Sequence, residues 1–335
     1  VIELGKHAGE VEMSKRVLID MPASPGIKAV LDDRKDVEYD EITETSEDNI
    51  VQQIGNYDAI ILGSTPFTAR MVDATSRLKI VSRFGVGYDN VDVDALTRAR
   101  IPLAVVGTAN SVTVAEHALM FMLALAKRTV AFDREVRQGV WVRWDYPAID
   151  LAGRKVLILG FGRIGRRLVK RCLGMEMTVL VHDPYVIQDA IATAGATAVD
   201  DWRGILSELD FLSINCPKTP ETFGMIGAKE LSAMAKTAYV VNTARGGIVD
   251  ETALFEALKA ETIAGAGIDP FVVEPTPADH PLFTLPNILV SPHSAGVSKE
   301  SIYRMGFWAA KNITDCFDGK LNPENIINRN FMDGG

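Results

Sequence analysis

The sequence predicts an α/β protein with two domains, each built around a parallel sheet. Short apolar runs rich in β-branched residues alternate with helical stretches nearly throughout, which is typical of parallel α/β architecture. The chain of 335 residues is also longer than one ordinary hydrophobic core accommodates. Strands are expected near 16–20, 59–62, 79–83 and 103–106 in a first series, and near 155–159, 178–182, 211–215, 239–242, 264–268 and 288–291 in a second.

Long helical patterns lie on both sides of the second series of strands. One runs from residue 111 to about 137, and the other from 298 to about 317. This arrangement predicts that the chain crosses between the domains twice. We therefore expect residues 13–110 and 309–335 to form one discontinuous domain, with residues 111–308 inserted into it as the other. The acidic stretch 32–48 is interpreted as a solvated loop and edge.

The composition excludes several classes of protein. Hydrophobic residues at 47% and charged residues at 24% are typical of a soluble globular chain. The net charge of −9, from 35 basic and 44 acidic residues, argues against a nucleic-acid-binding surface. The apolar run 118–126 is too short to cross a bilayer, and no signal peptide is apparent. Residues 1–12 show no clear period and are interpreted as a leader or extension before a natural start at Met13.

The three cysteines predict neither a disulfide framework nor a metal site. Cys172, Cys216 and Cys316 are far apart in the sequence and form no C-x-x-C pair. This usage favours reduced thiols in a cytosolic protein. We expect no metal of the usual cysteine-ligated kind.

A glycine-rich turn follows the first strand of the second series. Gly160, Gly162 and Gly165 form a G-x-G-x-x-G pattern that leads into a helix with one apolar face. The glycines permit a tight turn and close backbone approach, and the helix N-terminus favours a pyrophosphate. Arg163 can add a charge-assisted contact to a phosphate oxygen. The pattern predicts a dinucleotide site; the alternative is a glycine-rich turn that binds nothing.

An acidic residue at the end of the next strand favours NAD over NADP. Asp183 can accept hydrogen bonds from ribose hydroxyls and would repel a 2′-phosphate. In the alternative interpretation it caps a helix. Arg166, Arg167, Lys170 and Arg171 could hold a 2′-phosphate, but we interpret them as the solvated face of the helix.

Four further charged or titratable side chains follow strands of the second series. Arg245 comes after one strand, Asp269 and Glu274 after the next, and His293 after the last. Ligands bind outside the carboxyl ends of parallel strands, so these side chains are expected to face a crevice. A guanidinium can grip two oxygens of a 2-hydroxy or 2-keto carboxylate.

Proton transfer is the second requirement for oxidising an alcohol by hydride transfer. Histidine is the side chain suited to take or return the hydroxyl proton near neutral pH, so His293 is the candidate acid/base, and Glu274 could hold its ring in place. Taken singly, His293 could be a satisfied loop histidine, Glu274 a surface charge, and Arg245 a member of a surface ion pair. Their occurrence together after a dinucleotide turn favours catalysis.

With these residues in view, the chain resembles the D-isomer-specific 2-hydroxyacid dehydrogenases, from about residue 15 to 322. The resemblance implies two Rossmann-like parallel-sheet domains, the NAD-binding domain being inserted into a flavodoxin-like substrate domain. It implies NAD-dependent oxidoreduction of a short D-2-hydroxy acid, in a homodimer. His293 would be the acid/base, Glu274 its partner, and Arg245 the anchor of the substrate.

The resemblance also assigns binding residues. The backbone amides of Val86 and Gly87 would hold the substrate carboxylate, whereas His117 is interpreted as packed and not catalytic. Trp141 and Trp144 could pack at a dimer interface or in an ordinary core or cleft. Implied cofactor contacts, in addition to the three glycines, are Arg163, Ile164, Asp183, Thr113, Thr243, Ala244, Asp269, Ala295 and Gly296.

One departure from the family pattern bears on the substrate. Phosphoglycerate-specific members carry an arginine for the phosphate where this chain has Gly63. A smaller keto acid, such as hydroxypyruvate or glyoxylate, is therefore expected in preference to phosphoglycerate. Two alternatives stay open: a corepressor-like scaffold that binds NAD(H) without turnover, and a formate- or phosphite-type dehydrogenase.

Overall fold

The computed structural model describes residues 14–141, 144 and 147–331, and the chain divides into two compact units. Of these described residues, the first unit comprises 14–110 and 298–331, and the second comprises those between 111 and 297. The interpretation of residues 1–12 as a leader before Met13 lies outside the described residues.

The first unit is built on a five-stranded parallel sheet. Its strands are ordered β2-β1-β3-β4-β5, which is the flavodoxin-like order. The strands are β1 (Lys15–Ile19), β2 (Val37–Glu41), β3 (Ala59–Leu62), β4 (Ile80–Arg83) and β5 (Leu103–Ala104). The helices between them are α1 (Pro25–Leu31), α2 (Glu47–Gln53), α3 (Ala69–Asp73) and α4 (Val93–Arg98).

The second unit is built on a seven-stranded parallel sheet. Helices α5 (Ser111–Ala126) and α6 (Thr129–Arg137) precede it. The strands are β6 (Lys155–Leu159), β7 (Thr178–His182), β8 (Thr197–Ala198), β9 (Phe211–Ile214), β10 (Tyr239–Asn242), β11 (Gly265–Ile268) and β12 (Ile288–Val290). The remaining helices are α7 (Gly165–Gly174), α8 (Gln188–Thr193), α9 (Ala228–Ala233) and α10 (Glu251–Lys259).

The strand order of the second sheet creates a switch point. The order is β12-β11-β10-β9-β6-β7-β8, so the chain leaves β6 in one direction and later returns to its other side at β9. Ligands of open parallel sheets bind at this point, outside the carboxyl ends of the strands. The expected class of two parallel-sheet α/β domains is confirmed.

The core explains why β6 is continuous and apolar. All side chains from Val156 to Leu159 are at most 2% exposed. Leu157 packs into the cluster on one face of the sheet, whereas Val156 and Ile158 pack into the cluster on the other face with Phe121. A strand covered on both faces cannot alternate apolar with polar residues.

A long C-terminal helix, α11 (Lys299–Phe317), belongs to the first unit. It packs so closely on α1 that the backbones of the two helices touch. A Cβ added to Gly26 would lie 2.0 Å from the Tyr303 carbonyl oxygen. Likewise, a Cβ added to Gly306 would lie 2.0 Å from Ser24 Oγ. The boundary between the units falls at Ser298, the N-cap of the helix, whereas the expected boundary lies between 308 and 309. The helix packs as one piece along α1.

Other local expectations also differ from the structure. All ten expected strands are present, within two residues at each end, together with the short edge strand β8. The acidic stretch 32–48 contains the strand β2, which pairs with β1 along its length, and the start of α2. The helical pattern 111–137 is two helices, because Arg128 adopts φ +52 between α5 and α6. Among the described helices, none is both long and apolar enough to span a membrane.

Asp58 provides a pH-dependent contribution to the first unit. Its carboxylate, 5% exposed before β3, accepts hydrogen bonds from the Arg16 amide at 2.9 Å and from Arg77 at 2.8 Å. Burial by itself would raise the pKa of Asp58, but these two donors and the nearby Lys79 outweigh it, so the pKa lies below its ordinary value.

We predict that Asp58→Asn lowers the free energy of unfolding at pH 7 by about 1–3 kcal/mol, because a buried charged hydrogen bond is lost. A depressed carboxyl pKa stabilises the fold above the unfolded-state value of about 3.9, and this stabilisation disappears as the pH falls through the folded-state pKa. The free energies of unfolding of wild type and Asp58→Asn, measured with urea, should therefore differ less at pH 3 than at pH 7. Glu38→Gln, at an exposed position on β2, is the control. A difference that is constant with pH would contradict the prediction.

Candidate active site

The glycine turn after β6 requires glycine at two of its three positions. Gly160 adopts φ +99, and a Cβ there would lie 2.8 Å from the Asn215 carbonyl. A Cβ on Gly165 would lie 2.0 Å from the Gly160 carbonyl oxygen. A Cβ on Gly162 would meet nothing within 4 Å, so this residue borders open space. Helix α7 begins at Gly165 without a side-chain cap, and its positive end faces the turn.

Asp183 is tied directly to the glycine turn. One oxygen of its carboxylate accepts a 2.7 Å hydrogen bond from the Phe161 amide, and the other accepts from the Tyr185 amide at 2.9 Å. Phe161 stands between the first two glycines of the turn. The acid at the end of β7 is therefore held beside the turn, and its role toward a ribose stays a prediction.

The loop after β10 carries Arg245 and is shaped by Asn242. The Asn242 side-chain amide donates to the Arg245 carbonyl at 2.8 Å, and its oxygen accepts from the Ala244 amide at 3.0 Å. Arg245 is half-buried, and one of its guanidinium nitrogens donates to the Ala244 carbonyl at 2.7 Å. A Cβ on Gly246 would lie 2.1 Å from the Phe271 carbonyl oxygen. Glycine at this position lets the loop approach the one that carries Glu274.

The structure brings His293 and Glu274 together. His293 Nδ1 lies 2.7 Å from Glu274 Oε2, while Glu274 Oε1 accepts a 2.9 Å hydrogen bond from the Phe271 amide. Since a carboxylate only accepts, the proton of this contact is on Nδ1, and Nε2 is the ring nitrogen available to a ligand. The imidazole is 48% exposed, so a substrate can reach it. His293 adopts φ +52, a conformation that sequence alone does not reveal.

Asp269 is a buried carboxylate that shapes the loop after β12. It is 1% exposed. Its Oδ1 accepts hydrogen bonds from Ser291 Oγ at 2.5 Å and from the Ser294 amide at 2.8 Å, and its Oδ2 accepts from the Ala295 amide at 3.0 Å. Its backbone carbonyl accepts from the His293 amide at 3.2 Å. The predicted residues Asp269, His293 and Ala295 are therefore one connected structure, which Gly296 follows.

The buried hydroxyl of Thr243 indicates whether a dinucleotide fits this unit. Thr243 follows β10, is 6% exposed, and its Oγ1 has no hydrogen-bond partner among the described residues. A buried hydroxyl without a partner is unfavourable unless a ligand satisfies it. Together with the open space above Gly162, it fits a polar ligand lying along the carboxyl ends of the strands.

Several expected binding residues lie elsewhere in the chain. Val86 and Gly87 follow β4 in the first unit and are half-buried; their role as a carboxylate site stays a prediction. Thr113 lies in the first turn of α5 in the second unit, and Ile164 is the N-cap residue of α7. Arg163 lies between the second and third glycines of the turn.

Sequence reasoning missed two neighbours of these loops. His117, interpreted as simply packed, contacts Ser291 Oγ through Nε2 at 2.9 Å. Glu251 accepts a 2.7 Å hydrogen bond from the Val272 amide and lies 3.3 Å from His280. Both contacts join residues that are distant in sequence, so no local sequence pattern predicts them.

The structure also bears on the reactivity of the cysteines and on metal binding. Burial raises the pKa of Cys172 to about 12 and that of Cys216 to about 11, so neither is a ready nucleophile at neutral pH. Within 14–141, 144 and 147–331, no group of three or more His, Cys, Asp or Glu residues could hold a metal ion.

Comparison with known proteins identifies the second unit. Residues 119–295 match the family model for the D-isomer specific 2-hydroxyacid dehydrogenase, NAD binding domain. The chain is 38% identical over 289 residues to a glyoxylate reductase of Korarchaeum cryptofilum, covering 84% of this chain and 86% of that one. It is 37% identical over 287 residues to a D-3-phosphoglycerate dehydrogenase of Archaeoglobus fulgidus, covering 85% of this chain but only 54% of that one. The chain thus spans little more than half the length of the phosphoglycerate dehydrogenases that it matches.

Solved structures agree on the fold. An NAD-dependent formate dehydrogenase from Staphylococcus aureus in complex with NAD is similar with a TM-score of 0.82 and 30% identity, over 93% of this chain and 98% of that one. An NADPH-dependent glyoxylate/hydroxypyruvate reductase from Sinorhizobium meliloti is similar with a TM-score of 0.82 and 27% identity, over 93% and 97%.

Proposed function

Because the chain belongs to the D-isomer-specific 2-hydroxyacid dehydrogenases, we propose that it interconverts a short D-2-hydroxy acid and its 2-keto acid, with NAD as cofactor. The observation that carries the proposal is the 2.7 Å contact between His293 Nδ1 and Glu274 Oε2. It orients the imidazole and leaves Nε2 to exchange a proton with the substrate oxygen.

The proton and the hydride travel separately in the proposed reaction. Hydride transfer is the chemistry that bound NAD or NADH supplies. In reduction, protonated His293 donates its Nε2 proton to the carbonyl oxygen of the keto acid, and Glu274 stabilises the imidazolium beforehand. In oxidation, neutral His293 takes the hydroxyl proton as the hydride leaves the carbon.

Arg245 is proposed to hold the substrate. Its guanidinium carries a permanent charge and can bind a carboxylate through two parallel hydrogen bonds. The Asn242 side chain fixes the loop that carries it, which limits the entropy lost when substrate binds. On the basis of the sequence resemblance, we also propose the Val86 and Gly87 amides of the first unit as carboxylate-binding groups.

The surroundings of Gly63 support a small substrate. The Gly63 amide donates to Asp20 Oδ1 at 2.5 Å, and a Cβ at this position would lie 2.3 Å from Met21 Cε and 2.9 Å from Asp20 Oδ1. Burial raises the pKa of Asp20. An arginine at Gly63 would require these side chains to move, and the guanidinium that lies beside this position, that of Arg83, donates to the Leu62 and Gly63 carbonyl oxygens. We therefore propose a glyoxylate- or hydroxypyruvate-like substrate.

We expect His293→Ala to lower kcat for keto acid reduction by about 10²–10⁴, the usual contribution of a general acid. NADH oxidation would be followed with glyoxylate, hydroxypyruvate and phosphohydroxypyruvate, and NAD reduction with formate. The wild type should prefer one of the first two substrates.

Thermal unfolding and NADH binding serve as controls for this variant. The imidazole is half-exposed, so both should stay close to wild type. Full turnover by His293→Ala would exclude the assignment. Tight NADH binding without turnover of any of the four substrates by the wild type would favour the scaffold alternative.

Asp183→Asn should weaken the preference for NADH over NADPH by about tenfold to a hundredfold, or about 1.4–2.7 kcal/mol, because it removes the repulsion between a carboxylate and a 2′-phosphate. The amide oxygen can still accept from the Phe161 amide, which keeps the residue beside the turn, while the exposed Tyr185 amide can bond to water. The ratio of kcat/KM for the two cofactors measures the effect. Glu208→Gln, which removes a charge beside Lys155 at the opposite end of β6, is the matched control. An unchanged ratio in Asp183→Asn would refute this role.

A homodimer is proposed on the exposed apolar surface beyond α6. Trp141 and Trp144 are 78% and 79% exposed, and Val136 and Val140 are exposed nearby in the sequence. Large exposed apolar side chains grouped in this way are typical of protein interfaces. Light scattering coupled to size exclusion should give twice the mass of 36.5 kDa. Trp141→Ser with Trp144→Ser should shift the protein toward monomer, and a monomeric wild type would overturn the proposal.

A further inference from the structure

A chain of three side chains connects helix α5 to the loop that carries His293. His117 Nε2 lies 2.9 Å from Ser291 Oγ, and Ser291 Oγ lies 2.5 Å from Asp269 Oδ1. All three residues belong to the second unit. The reaction proposed above uses neither His117 nor Ser291.

The direction of each hydrogen bond follows from the chemistry of the groups. The Asp269 carboxylate accepts from the Ser294 and Ala295 amides, so it is also the acceptor toward Ser291. A serine hydroxyl has one proton, and Ser291 gives it to Asp269. Its oxygen must then accept from His117, which places a proton on His117 Nε2.

The position of His117 is fixed by packing. Its ring lies edge-on to Phe121 with centroids 4.6 Å apart. Phe121, one turn further along α5, sits against Gly267 of β11, where an added Cβ would come within 2.7 Å of its ring. The absence of a side chain at Gly267 thus lets α5 approach β11 two residues before Asp269. Burial lowers the pKa of His117, partly offset by the charge of Asp269, which favours a neutral ring at pH 7.

The orientation of the Asp269 carboxylate matters because Asp269 bonds to the loop after β12 at several points. Its carboxylate binds the Ser294 and Ala295 amides, and its carbonyl binds the His293 amide. Oδ2 accepts one of these amides among the described residues and has a second lone pair for a further donor. A rotation of the carboxylate would disturb both that acceptor and the loop.

We propose that His117 is a positioning residue, which acts through Ser291 to orient the Asp269 carboxylate toward the NH2 group of the nicotinamide carboxamide. The inference rests on the proposed function and on the family resemblance, which implies that Asp269 is the partner of the nicotinamide carboxamide; the new element is the role of His117. His117 does not touch the reacting atoms. It orients the Asp269 carboxylate. That carboxylate can accept a hydrogen bond from a carboxamide but not from a group without N–H donors.

The test compares two cofactors that differ only in that donor. NADH carries a carboxamide, whereas the reduced 3-acetylpyridine analogue carries an acetyl group at the same position. Dissociation constants for both would be measured by calorimetry with wild type, His117→Leu and His117→Gln. His117→Leu should weaken NADH binding by about tenfold, the value of one hydrogen bond, and leave analogue binding nearly unchanged. His117→Gln retains a side-chain N–H donor and should restore most of the selectivity.

Matched variants separate this role from general damage to the fold. Glu116→Gln changes the neighbouring residue on α5, which pairs with Arg171 at the surface, and should keep wild-type selectivity. Should His117→Leu fail to fold, Ser291→Ala removes the connecting hydroxyl while leaving His117 packed, and it should lose the same selectivity.

The outcomes separate the positioning role of His117 from the proposed function. Equal weakening of NADH and the analogue in the His117 and Ser291 variants would overturn the positioning role and leave the proposed function intact. Unchanged selectivity in both variants would overturn it as well. Failure of the wild type to bind NADH at all would overturn the proposed function and, with it, this inference.

Discussion

The buried carboxylate of Asp269 is the interaction on which the candidate site depends. Taking a charge out of water costs several kcal/mol unless donors surround it. Here the donors are Ser291 Oγ and the amides of Ser294 and Ala295. Because the cost is offset only in this loop conformation, the carboxylate selects the conformation. The loop in turn holds His293 in a left-handed backbone geometry that presents its ring to Glu274.

Sheet register places these groups at the same height. Asn242 of β10 pairs with Ile268 of β11, and Ile268 pairs with Val290 of β12. The residues that follow each strand therefore leave the sheet side by side, which is why Asp269 and Ser291 can bond. Thr243 leaves at the same level and keeps a buried hydroxyl without a partner among the described residues. A parallel sheet thus gathers polar groups that are far apart in sequence, without any of them having to lie within a strand.

The sequence predicts most of this arrangement where the cause is local. The apolar run 156–159 and the glycines after it specify a buried strand and a tight turn, and both are found. The proximity of His293 and Glu274 follows from their positions after neighbouring strands, although the choice of Nδ1 does not. Prediction fails where the cause is distant or lacks a residue signature. The contact between His117 and Ser291 spans 174 residues, and no glycine or proline marks the break at Arg128.

The backbone contact between α1 and α11 has a consequence for the order in which the chain acquires its structure. Gly26 and Gly306 are joined in one unit, yet the whole of the other unit lies between them in the chain. During synthesis, Ser111–Val297 is contiguous and can complete its core as it emerges from the ribosome. The segment up to Asn110 precedes the second unit in the chain, so the face of α1 stays uncovered until α11 has been made. The first unit can therefore complete its core only after the second unit has been synthesised.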